Sequence, residues 1–154
     1  MTWNIATKEP DTIVASRNGI NVWNNGDAEL GQVVTFSDIP PQAEQCELHW
    51  LVQPTDTLMV TGQGSIAVHE LLGLPQGEEI TWNSVSPLVG RRVGSAAFNG
   101  WGKNGLLHLV GSVDCQSTLS FKSVIDGEVL GRVDVLNDSG MSGWALTYEC
   151  KGEV

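Results

Sequence analysis

Apolar and polar residues alternate with a period of two along most of the chain, in short runs broken by Gly, Asn, Asp and Pro. That spacing puts every second side chain on one face of an extended segment, so it predicts many short, half-buried strands. In Cys46–Val52, the residues Cys46, Leu48, Trp50 and Val52 point one way while Glu47, His49 and Leu51 point the other. In Gly143–Cys150 the apolar face is Trp144, Leu146, Tyr148 and Cys150. Thr118–Ile125 presents Leu119, Phe121 and Ile125, and Glu128–Leu136 presents Val129, Val133 and Val135, with Gly131 leaving a gap that suits a bulge or close packing. Weaker strands are expected over Gly19–Trp23, Gln32–Phe36, Thr57–Val60, Ser65–Glu70, Ile80–Trp82 and Leu106–Val113. No segment of ten or more residues carries a helical stripe. Glu70-Leu71-Leu72 is the one place left for a helical turn, which Gly73 and Pro75 would end.

Asn18-Gly19, Asn25-Gly26, Asn104-Gly105 and Asp126-Gly127 are turn dipeptides, because Asn, Asp and Gly tolerate positive φ. Asp126-Gly127 lies between two alternating runs and predicts a hairpin. About ten strands without crossover helices imply an all-β fold: an antiparallel β-sandwich, jelly-roll-like, with a closed barrel as the alternative. The 154 residues suit one domain, 1–154, with 1–18 as an irregular N-terminal arm.

Charge narrows the partners. The net charge is −10, and between Arg17 and Arg91 there are nine acids and no Lys or Arg. Such a surface repels phosphate backbones and anionic lipid, so nucleic acid is not an expected partner. No run of about 18 apolar residues is present, so no membrane insertion by a helix is expected. Three cysteines, Cys46, Cys115 and Cys150, form no Cys-x-x-Cys pair, which speaks for one disulfide and one free thiol rather than zinc or redox chemistry. Cys46 opens its strand and Cys150 closes its own, so antiparallel pairing would set them side by side. Cys115 follows the Leu106–Val113 strand and reaches Cys46 as readily, which leaves all three single bridges open.

No catalytic motif stands out. Gly62-Gln63-Gly64-Ser65-Ile66 lacks the closing glycine of a nucleophile elbow and the third glycine of a dinucleotide fingerprint. His49, His69 and His108 lie in strands at spacings that match no local metal motif. A glycoside hydrolase needs two acids across a cleft, and Glu47, Glu70, Asp114 and Asp134, on or beside strands, are the carboxylates it could draw on. Calcium is the one ion with a candidate site, at Asp134, Asn137 and Asp138 beside Gly140. Asn137-Asp138-Ser139 is also an N-glycosylation sequon in a loop, with Asn137 as acceptor.

Six tryptophans form the most distinctive feature. Trp50 and Trp144 alternate with core residues and read as interior. Trp23, Trp82 and Trp101 lie in turn-like surroundings beside amides or glycines, as does Trp3. An indole beside amides is a platform for a sugar ring, with an apolar face and hydrogen-bonding groups at its edge. Trp23, Trp82, Trp101, Asn24 and Asn83 are therefore candidate glycan contacts.

Phe36-Ser37-Asp38-Ile39-Pro40, a spacer, and Cys46-Glu47-Leu48-His49-Trp50 resemble the opening of a fungal family named for the C-terminal domain of a ubiquitin-three-binding protein. Val113-Asp114-Cys115 and Gly143-Trp144-Ala145-Leu146-Thr147-Tyr148 resemble that family's later strands, so the resemblance runs from about Gln32 to Cys150. It implies a β-sandwich, a fungal source, frequent secretion and a Cys46–Cys115 bridge, and it carries over no catalytic residue. The expectation is a secreted, extracellular, monomeric protein with its signal peptide removed. It would be a non-enzymatic effector or elicitor meeting a host or cell-wall protein or glycan. The alternatives are a carbohydrate-binding module and a wall-polysaccharide hydrolase. The family's name alone also raises intracellular binding to modifier-activation machinery.

Overall fold

The alternating runs, apart from Ile80–Trp82, form strands. A computed structural model describes residues 1–14, 19–62, 64–75, 79–98, 107–127, 130–137 and 139–151. Among them eleven strands are found: β1 (Thr2–Ala6), β2 (Asn21–Asn24), β3 (Glu29–Phe36), β4 (Ala43–Leu51), β5 (Thr57–Gly62), β6 (Ser65–Leu71), β7 (Val89–Ala97), β8 (His108–Val113), β9 (Leu119–Ile125), β10 (Gly131–Leu136) and β11 (Gly143–Cys150). An eight-stranded sheet runs β5-β10-β2-β3-β9-β6-β7, with β1 paired to β3 off that path. A three-stranded sheet runs β11-β4-β8. Every pairing is antiparallel. The fold is an all-β sandwich, and its sheets do not close into a barrel.

The main core fills the space between the sheets. The larger sheet contributes Val22, Val34, Ile66, Val68, Phe121, Val133 and Val135; the smaller contributes Cys46, Leu48, Trp50, Val110 and Val113. Trp50 stacks on His108 with ring centroids 4.1 Å apart and meets Phe98 at 4.1 Å. Removing each such large side chain from water stabilises the fold by roughly 1.5–3 kcal/mol. The opposite face of the larger sheet buries a second, smaller cluster of Ile5, Val33, Leu71 and Val85. Val33 and Val34 serve the two clusters because neighbouring strand residues face opposite ways.

Several expectations need correction. Ile80–Trp82 does not form a strand: Thr81 caps a short helix, α1 (Trp82–Val85), by accepting from the Ser84 N–H at 3.1 Å, while Ser84 Oγ accepts from the Thr81 N–H at 2.9 Å. That reciprocal box satisfies N–H groups that an extended segment would have left to a neighbouring strand. No helical turn forms at Glu70-Leu71, because β6 continues through Leu71, with Glu70 opposite Phe121 of β9 and Leu71 opposite Val89 of β7. The segment 1–18 is not wholly irregular, since Thr2–Ala6 pairs with Leu30–Val34. Asp126-Gly127 is a turn, with Gly127 at φ 75°, but not a hairpin: β9 and β10 are separated in the sheet by β2 and β3. Asn25-Gly26 does make the β2–β3 hairpin, with Asn25 Oδ1 accepting from the N–H groups of Asp27 and Ala28.

Cys46 and Cys115 are bridged, with Cα atoms 5.4 Å apart, and Cys150 is a free thiol. β4 and β11 pair antiparallel as expected, yet the register that sets Trp144 opposite Trp50 and Thr147 opposite Glu47 carries Cys150 past Cys46, and after a one-residue irregularity between Thr147 and Glu149 it lies opposite Ala43. The same irregularity ends the inward alternation, leaving Tyr148 exposed.

Candidate functional site

Two grooves carry the polar chemistry of the larger sheet. The first, of about 560 Å³, is lined by Trp23, Asn24, Asn25, Thr61, Leu130 and Arg132, with the backbone of Gly62 and Gly131. Register places the aromatic, the cation and the hydroxyl side by side: Arg132 of β10 pairs with Trp23 of β2 on one side and Thr61 of β5 on the other. The floor is tight because a Cβ at Gly62 would lie 2.7 Å from the Leu130 carbonyl oxygen. Gly131 is thus a place of close packing, as its gap in the apolar pattern suggested.

Asn24, Asn25 and Arg132 are each oriented by the fold. Asn24 Oδ1 accepts from the Gly26 N–H at 2.8 Å, and its Nδ2 donates to Glu29 Oε1 at 3.1 Å. Asn25 Oδ1 is occupied by the hairpin turn, which leaves its Nδ2 donors as the amide's remaining capacity. Arg132 Nη2 donates to buried Asp134 Oδ2 at 3.2 Å, while about half of the arginine side chain stays exposed. Trp50 and Trp144 belong to the main core, and Trp3 and Trp82 pack on the second cluster. Trp23 is thus the one described tryptophan packed against neither.

The candidate glycan contacts do not all converge. Trp23 and Asn24 share this groove. Trp82 sits on α1 with Lys122 Nζ 4.1 Å from its ring centroid, and Asn83 Nδ2 donates to Asp11 Oδ1 at 2.9 Å, tying α1 to the N-terminal segment. Trp101 lies outside the described residues, as does Asp138 of the calcium candidate. Asp134 faces Arg132, and Asn137 Oδ1 accepts from the Ser142 N–H at 2.9 Å. Among the described residues no three His, Cys, Asp or Glu side chains are grouped to hold a metal ion. At the sequon, the Ser139 hydroxyl and N–H both bond the Asp56 carboxylate, which also accepts from Ser142.

The second groove, of about 800 Å³, is lined among others by Asn24, Glu29, His69, Arg92 and Asp126. Cross-strand register sets Arg92 (β7), His69 (β6) and Lys122 (β9) in one row. Burial, then Arg92, then Lys122 hold the imidazole of His69 below its ordinary value, against an opposing pull from Asp126. Burial likewise lowers Lys122, against the pull of Glu29. Arg92 grips Asp126 through two hydrogen bonds, at 3.1 and 2.8 Å, and that pairing holds the carboxyl below its usual range. Cation and carboxylate therefore satisfy each other within the wall of this groove.

Of the four carboxylates that could supply a hydrolase's pair, the fold brings Glu70 and Asp114 to one further groove, of about 570 Å³, where Arg91 Nε lies 3.3 Å from Glu70 Oε2. Asp134 lies instead beneath Arg132. Arg132 and Thr61 escaped the sequence reading. The Arg132-x-Asp134 spacing, which puts both side chains on one strand face, was the available signal. Thr61 had none.

Compared with protein-family models, curated proteins and solved structures, the chain matches none.

Proposed function

We propose that the protein is a non-enzymatic recognition domain working outside the cell, and that its Trp23 groove takes a sugar ring of a host or cell-wall glycan. The observation that carries this reading is Trp23 itself, an indole outside both cores, flanked by Asn24, Asn25, Thr61 and Arg132. A pyranose has an apolar face for the ring and hydroxyls for the amide and hydroxyl groups around it. The buried disulfide is compatible with an oxidising, extracellular setting. The effector or elicitor role in this reading rests on analogy with secreted fungal proteins of similar size and composition.

A glycan array followed by titration with intrinsic-fluorescence readout tests it. The wild-type protein binds at least one glycan with a change in tryptophan emission, and Trp23→Ala weakens binding at least about tenfold, or 1.4 kcal/mol. Because Trp23 supports neither core, the variant keeps its urea midpoint. Failure of the wild type to bind any glycan would overturn the reading. A hydrolase reading draws on the shared groove of Glu70 and Asp114. It requires a measurable glycan-cleaving activity that Glu70→Ala with Asp114→Ala abolishes.

A further inference from the structure

The charge inside the Trp23 groove runs against the charge of the chain. The protein carries −10 overall, yet the described residues lining this groove include one cation, Arg132, and no carboxylate. The two acids nearest in bonding terms face away from ligand duty: Glu29 is bonded to the Asn24 amide and Asp134 to Arg132. Asp134 is 2% exposed, so its carboxylate acts as a buried anchor that orients the guanidinium. Asp134 engages Arg132 through Nη2, and a guanidinium has five N–H donors in a planar fork, so donors remain for a second anion.

From this arrangement we infer that the groove selects a hexuronate, a sugar whose ring stacks on Trp23 and whose carboxylate pairs with Arg132. The inference rests on the glycan reading of the same groove and adds the chemical class of the sugar. A neutral hexose satisfies the indole and the amides but offers no charge to the guanidinium donors that Asp134 leaves over. A uronate adds a charge-assisted hydrogen bond of the kind for which Arg is suited. The acidic surface beyond the groove limits the ligand further: it repels a chain of consecutive carboxylates, so the favoured ligand is an isolated uronate in an otherwise neutral oligosaccharide. Asp134 is a positioning residue in this scheme, acting through Arg132.

The test compares three probes by calorimetry: a xylo-oligosaccharide carrying one glucuronate, the same compound with its carboxyl reduced to the alcohol, and an oligogalacturonate of equal length. The expected order has the single-uronate probe at least about tenfold tighter than its neutral counterpart, and also tighter than the polyacid. The acid preference shrinks in high salt, as an exposed ion pair requires. Arg132→Gln abolishes the difference between the acidic probe and its reduced counterpart, whereas Arg132→Lys keeps part of the preference. Trp23→Ala weakens both probes. The wild-type comparison needs no variant, so a poorly folding Arg132→Gln protein does not protect the inference. Equal affinity for the acidic and reduced probes would overturn the uronate assignment while leaving the glycan reading intact. Absence of binding to every probe, together with an empty array, would overturn both.

Discussion

His69 lies between two cations across the strands, Arg92 on one side and Lys122 on the other, and it stays neutral where an ordinary histidine would begin to charge. The consequence for stability follows from proton linkage. Below the ordinary imidazole value of 6.5 the unfolded chain takes up a proton that the folded chain refuses. The folded state is therefore favoured in full above that pH and loses ground as pH falls from it toward the lower, folded-state value. Asp126 has the same sign in a more acidic window, since Arg92 lowers its carboxyl from 3.8. Urea midpoints measured from pH 8 to pH 4 should fall less steeply below 6.5 in His69→Gln than in the wild type. Parallel curves for the two proteins would show that the folded environment leaves His69 unperturbed.

At the scale of elements, strand β7 shows why alternation alone is an incomplete guide. Val89-Gly90-Arg91-Arg92-Val93-Gly94-Ser95-Ala96-Ala97 has no stripe of large apolar residues, and no strand was expected there. It is a strand because β6 pairs with it and because its backbone meets β8 almost directly. A Cβ at Gly94 would lie 2.1 Å from the Val110 carbonyl oxygen, and one at Gly111 would lie 2.4 Å from that of Val93. The two glycines thus let the edges of the two sheets approach backbone to backbone, a steric requirement that leaves no periodic trace. Gly94→Ala and Gly111→Ala should each destabilise the protein by about 2–3 kcal/mol, the scale of forced overpacking, as read from urea unfolding. A loss below about 0.5 kcal/mol in both would mean that this crossing is looser than the structure has it. By contrast β4, β9 and β10 were legible, because their inward residues Leu48, Phe121 and Val133 are fully buried at every second position.

For the whole molecule, the Cys46–Cys115 bridge joins residues 69 apart in the smaller sheet, beside the β4–β8 pairing. In the chain-entropy account, closing a loop of that size stabilises the fold by about 4 kcal/mol. Replacing both cysteines by serine should lower stability by roughly 2–5 kcal/mol in chemical denaturation. Alkylation of the unfolded, unreduced protein should add a single group, at Cys150, and alkylation after reduction should add three. Three groups without reductant, or a single group on Cys46 or Cys115, would contradict the pairing. The all-β class, the strands with a full apolar stripe, the turn at Asn25-Gly26 and the acidic surface were determined by the sequence itself, since strand period, backbone φ preference and net charge are local or additive properties. The tertiary structure decided which cysteines meet, that Asp126 holds Arg92 rather than closing a hairpin, and that Trp23, unlike Trp82, stays outside the cores. Each of these depends on which strands become neighbours and in what register, and that is set by many long-range contacts acting together rather than by any short run of residues.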